Sequence, residues 1–147
     1  MWERYQGKEG RAALLNALRS QFLVDGNSEI ADTLASTTQV RDFTPGAVLF
    51  TEGERGGDVF MIISGQVSVR KRGREIATCG AGMHVGEMGL LEPFKGRTAT
   101  IVAVNTVVVA QVSQKKFTEI AEAHHQLWRR MALELAHRLD RTQDAVA

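Results

Sequence analysis

"PGAVLFTEGERGGDVFMIISGQVSVRKRGREIATCGAG" occupies residues 45–82, and its rhythm is that of short strands. The runs "AVLFT", "DVFMIIS", "QVSVRK" and "REIATC" are rich in β-branched and apolar residues and lack a helical period. Pro45-Gly46, Gly53, Gly65, Gly73 and Gly80-Ala81-Gly82 separate them as turn-forming corners. "QVRDF" before this stretch, and "TATIVAV" and "TVVVAQVS" after it, extend the pattern from Thr38 to Ser113. Many short strands at close spacing with glycine corners predict a sandwich or jelly roll.

Outside that zone the period changes. Residues 11–23 place Leu14, Leu15, Leu18 and Phe22 on one helical face, and the turn "DGN" stops the helix. Asn27 or Ser28 then caps a short second helix through Leu34. After Ser113, "QKKFTEIAEA" reads as a helix and "QLWRRMALELAHRLDRTQDAVA" as a long amphipathic one, with Leu127, Met131, Leu135 and Leu139 at four-residue steps. The expected fold is mainly β with flanking helices (α+β): a β-roll or jelly roll carrying N-terminal helices and a C-terminal helix pair. The expected layout is a helical segment over residues 1–36, the roll over 37–113, and helices over 114–147.

Composition narrows the function classes. The 147 residues form one domain, with a net charge of +1 and no field that favours nucleic acid or a membrane surface. The single cysteine, Cys79, cannot form an internal disulfide and reads as a buried thiol. The N-terminus has no signal-peptide pattern, and the longest apolar run, "IVAVNTVVVA", is too short to span a bilayer. A cytoplasmic chain is expected. A metal enzyme on a roll needs converging histidines and a carboxylate, but this roll contains His84 alone, so neither a metal nor a catalytic residue is expected.

A second stretch, "HVGEMGLLEPFKGRTAT" (residues 84–100), carries the chemistry. A tight Gly-Glu-Met-Gly-Leu-Leu segment suits one helical turn, whose first N–H groups lack intrahelical partners and attract anions. Gly86 and Gly89 permit close backbone approach, Arg97 offers a bidentate fork for phosphate oxygens, and Thr98 adds a hydroxyl. Glu87 would repel a bare anion, yet it accepts hydrogen bonds from hydroxyls such as those of a ribose. One phosphate and one ribose hydroxyl together describe a nucleotide. The bland reading, a Glu87–Arg97 ion pair closing a loop, contributes little stability once desolvated and leaves the glycines and Thr98 without a role.

This stretch resembles the phosphate-binding cassette of the cyclic nucleotide-binding domain family, which includes the catabolite activator and protein kinase A regulatory types. "PGAVLFTEGERGGDVFMIISGQVSV" is similar to the Pro-Gly, Glu-Gly and Ser-Gly corners of that family, and "KKF" at Lys115 to Phe117 falls in register. The resemblance covers residues 37–142. It implies that Glu87 accepts the ribose 2′-hydroxyl, that Arg97 and Thr98 bind the phosphate, and that the amides around Gly86, Met88 and Gly89 cradle it. It also implies that Arg138 and Thr142 of the long helix face the ligand. Val85 stands where the family prefers phenylalanine, with His84 before it. His125 stands where relatives often carry proline, so a softer break between the last two helices is expected.

The ligand implied is a 3′,5′-cyclic nucleotide, with no further cofactor. The residues leave cUMP, cCMP, cAMP and cGMP open. The opening "ERYQGKEGRAALLNALRSQ" resembles the N-terminus of bacterial Pycsar antiphage effectors, in which such a sensor precedes an NAD-degrading TIR domain. That resemblance favours cUMP and a sensor, non-enzymatic role. The alternative is a cAMP or cGMP domain of a transcription factor, channel or kinase-like regulator, and a more remote one is a roll serving only as an oligomerisation scaffold. The basic "RKRGR" reads as a solvated hairpin tip, Trp128 as core, and the Leu127–Leu139 stripe as a packing face that continues into a homodimer or higher assembly.

Overall fold

The computed structural model describes the backbone of residues 2–146 and the side chains of residues 2–140. A 3-10 turn (Trp2–Tyr5) leads into α1 (Gly7–Arg19) and α2 (Ser28–Thr37). The roll follows as β1 (Gln39–Phe43), β2 (Val48–Phe50), β3 (Val59–Ser64), β4 (Gln66–Lys71), β5 (Arg74–Gly80), β6 (His84–Val85), α3 (Glu87–Leu91), β7 (Thr100–Ala103) and β8 (Val107–Val112). Helices α4 (Gln114–Ala123) and α5 (Gln126–Val146) close the chain.

The strands form two antiparallel four-stranded sheets, ordered β1-β8-β3-β6 and β2-β7-β4-β5. Alternation along β3 and β8 explains why these strands are apolar almost throughout. Phe60, Ile62, Val107 and Val109 point into the roll, against Phe50, Val67, Val85 and Ile101. Val59, Met61, Ala110 and Val112 point outward into a second core with Leu18, Ile30, Phe117, Leu127 and Met131 of the helices. The central strands β3 and β8 are therefore buried on both faces, which is the condition that produces continuous rather than alternating hydrophobic runs, whereas the edge strand β1 has no fully buried residue. Among the described residues, no helix is long and apolar enough to cross a membrane.

Two helix boundaries differ from those the periodicity predicts. Helix α1 starts at Gly7 and ends at Arg19, so Phe22 is not on its face. The Phe22 N–H donates to Gly82 O at 2.9 Å and Gln21 Nε2 to Ile62 O at 2.7 Å, anchoring the connector to the roll. Helix α2 runs past Leu34 to Thr37, with the Asn27 side chain capping the Ile30 N–H. Between α4 and α5 the break needs no proline: His124 leaves helical geometry at φ −134° and ψ 82°.

The stripe on α5 divides. Leu127 and Met131 are buried, Leu135 is half-buried, and Leu139 is 59% exposed. Four-residue steps advance about 40° beyond a full turn each time, so the stripe rotates off the core as the helix lengthens. Trp128 packs edge-on against Phe117 with ring centres 5.7 Å apart.

Candidate functional site

A cavity of about 870 Å³ opens between the roll and α5, within the usual range for a small-molecule site. Gly86, Glu87, Met88, Gly89, Arg97 and Thr98 line it from the cassette, and Arg138 lines it from α5. The site residues read from the sequence therefore converge on one space, except Thr142, whose side chain lies outside those described.

Helix α3 is one short turn whose entry depends on Gly86. That residue adopts φ +99°, and a Cβ there would lie 2.6 Å from Asp58 O. Gly89 is tighter still, because its Cβ would lie 2.3 Å from Gly56 O and 2.7 Å from Arg97 Nη1. The glycines thus make room for a guanidinium as much as for a ligand.

Arg97 is buried to 6% exposure. Its main chain is pinned by Arg97 N–H to Glu54 O at 2.7 Å and by Gly53 N–H to Arg97 O at 2.8 Å. The side chain donates from Nη1 to Gly86 O at 3.1 Å and from Nη2 to Asp58 O at 3.0 Å, with the Phe50 ring beneath it at 4.1 Å. Burial pulls its pKa down, and Asp58, Glu54 and Glu87 only partly oppose that. Both bonds go to neutral carbonyls. A buried cation held in this way gains strongly from an arriving anion.

Glu87 does not close onto Arg97. It is buried to 3% and pairs through Oε1 with Arg138 Nη1. Arg138 also donates to Glu134 Oε1 at 3.1 Å and to His84 O at 3.2 Å. Burial works to lower the Arg138 pKa, but attraction to Glu87, Cys79 and Glu134, with the Glu87 hydrogen bond, more than reverses it. A carboxylate has about four acceptor positions, so the pair leaves Glu87 able to accept from a hydroxyl. The arrangement can hold an anion at one end and a hydroxyl at the other, and α5 closes the second position.

Some lining residues were not singled out by the sequence. Register explains them. Val67↔Cys79 and Val69↔Ala77 pair across β4 and β5, so Val69, Ala77 and Cys79 share the inner face. A bulge then makes Glu75 oppose Arg70 on the outer face, where Glu75 Oε1 accepts from Ser68 Oγ at 2.7 Å. Lys71, read as part of a solvated tip, lines the cavity with them. Glu134 was legible only as the residue one turn before Arg138. Among the described residues, no group of three or more His, Cys, Asp or Glu side chains is placed to hold a metal.

Comparison with known proteins gives this geometry a family. The profile of the cyclic nucleotide-binding domain matches residues 40–124. The chain is 39% identical to the Pycsar effector protein PaPycTIR of Pseudomonas aeruginosa, over 98% of this chain and 47% of that protein. It thus spans about half the length of the curated relatives it matches. The catabolite activator protein of Thermus thermophilus superposes with a TM-score of 0.76 at 26% identity, over 86% of this chain and 62% of that one. The regulatory domain of Toxoplasma gondii PKA crystallised with cAMP superposes with a TM-score of 0.68 at 25% identity, over 79% of this chain and 46% of that one. With the profile covering more than half of its length and the roll, cassette and closing helix all in place, the chain belongs to the cyclic nucleotide-binding domain family.

Proposed function

We propose that this chain is a sensor module that binds a 3′,5′-cyclic pyrimidine nucleotide, cUMP, and reports it to an output domain of TIR type in a longer parent protein. The observation that carries this reading is the 39% identity to a Pycsar effector over 98% of the chain, N-terminal helices included. In this reading Arg97 and Thr98 hold the phosphate, with the amides of Gly86, Met88 and Gly89 around it. Glu87 accepts the ribose 2′-hydroxyl, and Arg138 and Thr142 close over the base end. The module itself performs no catalysis and acts in the cytoplasm without nucleic acid or membrane. The exposed Leu133 and Leu139 of α5 offer a surface for a homodimer or higher assembly.

The alternative ligand is cAMP, favoured by the fold match to a regulatory domain crystallised with it. Direct competition separates the two. With the chain held at half-saturation by labelled cUMP, unlabelled cUMP should displace it at lower concentration than cAMP does. Tighter binding of cAMP would remove the Pycsar-type reading and leave the family assignment intact.

A further inference from the structure

Register sends the two residues of β6 in opposite directions. Val85, opposite Phe60, enters the roll, whereas His84 lies opposite Met61 on the side that faces the helices. The His84 ring is 1% exposed, and among the described residues its Nε2 has no hydrogen-bond partner. A buried unpaired polar atom is destabilising, so an apolar side chain would serve the packing better. Glu87 Oε2 lies 4.0 Å from that nitrogen, too long for a hydrogen bond.

We propose that His84 is a positioning residue for Glu87: its Nε2–H donates to Glu87 Oε2 in the nucleotide-bound state and fixes the carboxylate for the ribose hydroxyl. The inference deepens the proposed function and rests on Glu87 being the ribose acceptor. Among the described contacts, Arg138 is hydrogen-bonded to Glu87 through Oε1. A carboxylate held at one oxygen still turns about its last torsion, which has a broad minimum. A second donor on the other oxygen removes that freedom. The charged groups facing the ring are Glu87 from α3, and Glu134 and Arg138 from α5. Burial, helped by Arg138, lowers the imidazole pKa and so favours the neutral ring against the pull of the two carboxylates. A neutral ring carries one N–H, and a carboxylate neighbour favours placing it on Nε2. The same guanidinium that pairs with Glu87 also donates to the His84 carbonyl, so both residues are tied to one point on α5.

The test compares cUMP with 2′-deoxy-cUMP, and cAMP with 2′-deoxy-cAMP, by calorimetry on the 147-residue chain. His84→Phe should weaken the ribonucleotide about tenfold and leave the deoxy analogue within about twofold. His84→Met removes the donor with a more adaptable side chain and should do the same if the phenylalanine does not fold. His84→Gln, which keeps an N–H donor, should recover most of the discrimination. Unchanged affinities, or equal weakening on both sugars, would overturn the inference while leaving nucleotide binding in place. Failure of the unaltered chain to bind either ribonucleotide would instead remove the proposed function and this inference with it.

Discussion

Arg138 of α5 and Glu87 of α3 form an ion pair that ties the long C-terminal helix to the cassette of the roll. Among the described residues the Arg97 end of the cavity has no such tie, since Arg97 is held by Gly86 and Asp58 within the roll itself. A ligand shifts a conformational equilibrium only through contacts that differ between states. The Glu87 end, where α5 meets the cassette and where the proposed function puts the ribose and base, is therefore where binding can be converted into helix movement.

Hydrogen exchange over residues 126–146 measures that conversion. Saturating nucleotide should change protection in this segment of the unaltered chain. Arg138→Ala with Thr142→Ala should reduce the change more than Thr98→Ala does at matched occupancy. Equal protection with and without nucleotide in the unaltered chain would mean that α5 does not report binding.

Glu87→Ala should weaken cyclic ribonucleotides and largely abolish their preference over 2′-deoxy analogues, because the hydroxyl loses its acceptor. Paired titrations of both sugars give the ratio directly. A preserved preference would place the ribose elsewhere in the cavity.

Gly89→Ala should lower stability by roughly 1–3 kcal/mol and weaken nucleotide at least about tenfold, since the new methyl meets Gly56 O and displaces the Arg97 guanidinium. Gly73→Ala is the control. At φ +78° it is strained, but nothing lies within 4 Å of its Cβ, so it should lower stability and leave affinity unchanged. Thermal melts followed by titration separate the two effects.

Stability should fall in acid through His84. Burial lowers its pKa from the ordinary value, so the folded chain favours the neutral ring. The unfolded chain then binds more protons, and stability rises with pH across that interval. The contribution is complete above about pH 6.5 and is lost as pH falls toward the depressed folded value. His84→Phe should flatten this slope in melts recorded between neutral pH and pH 5. A slope identical to that of the unaltered chain would assign the acid sensitivity to other groups.

Much of the architecture was legible because local and tertiary preferences agree. The runs at Gln39–Phe43, Gln66–Lys71 and Gln114–Ala123 are the observed elements residue for residue, each bounded by a glycine, a turn or a cap. Phe22 was misplaced because its N–H is claimed by Gly82, distant in sequence, a competition that periodicity cannot reveal. β6 is too short to have a pattern and exists through its pairing with β3. In the site, Glu87 and Arg97 stood out as charges among glycines. Their actual partners, Arg138 for one and two main-chain carbonyls for the other, depend on how α5 and the Asp58 segment pack. Lys71 and Cys79 reach the cavity through strand register, which needed the β4–β5 pairing to be known.

In the proposed function Arg97 receives the phosphate of a cyclic nucleotide. Calorimetric titration of cUMP, cCMP, cAMP and cGMP into the unaltered chain and Arg97→Ala, side by side, measures that contact. If Arg97 holds the phosphate, the substitution removes charge-assisted contacts from a residue that is 6% exposed, so the nucleotide that binds best should weaken by about a hundredfold, roughly 2.7 kcal/mol. An Arg97→Ala chain that is folded and binds all four nucleotides as the unaltered chain does would mean that Arg97 does not hold the phosphate.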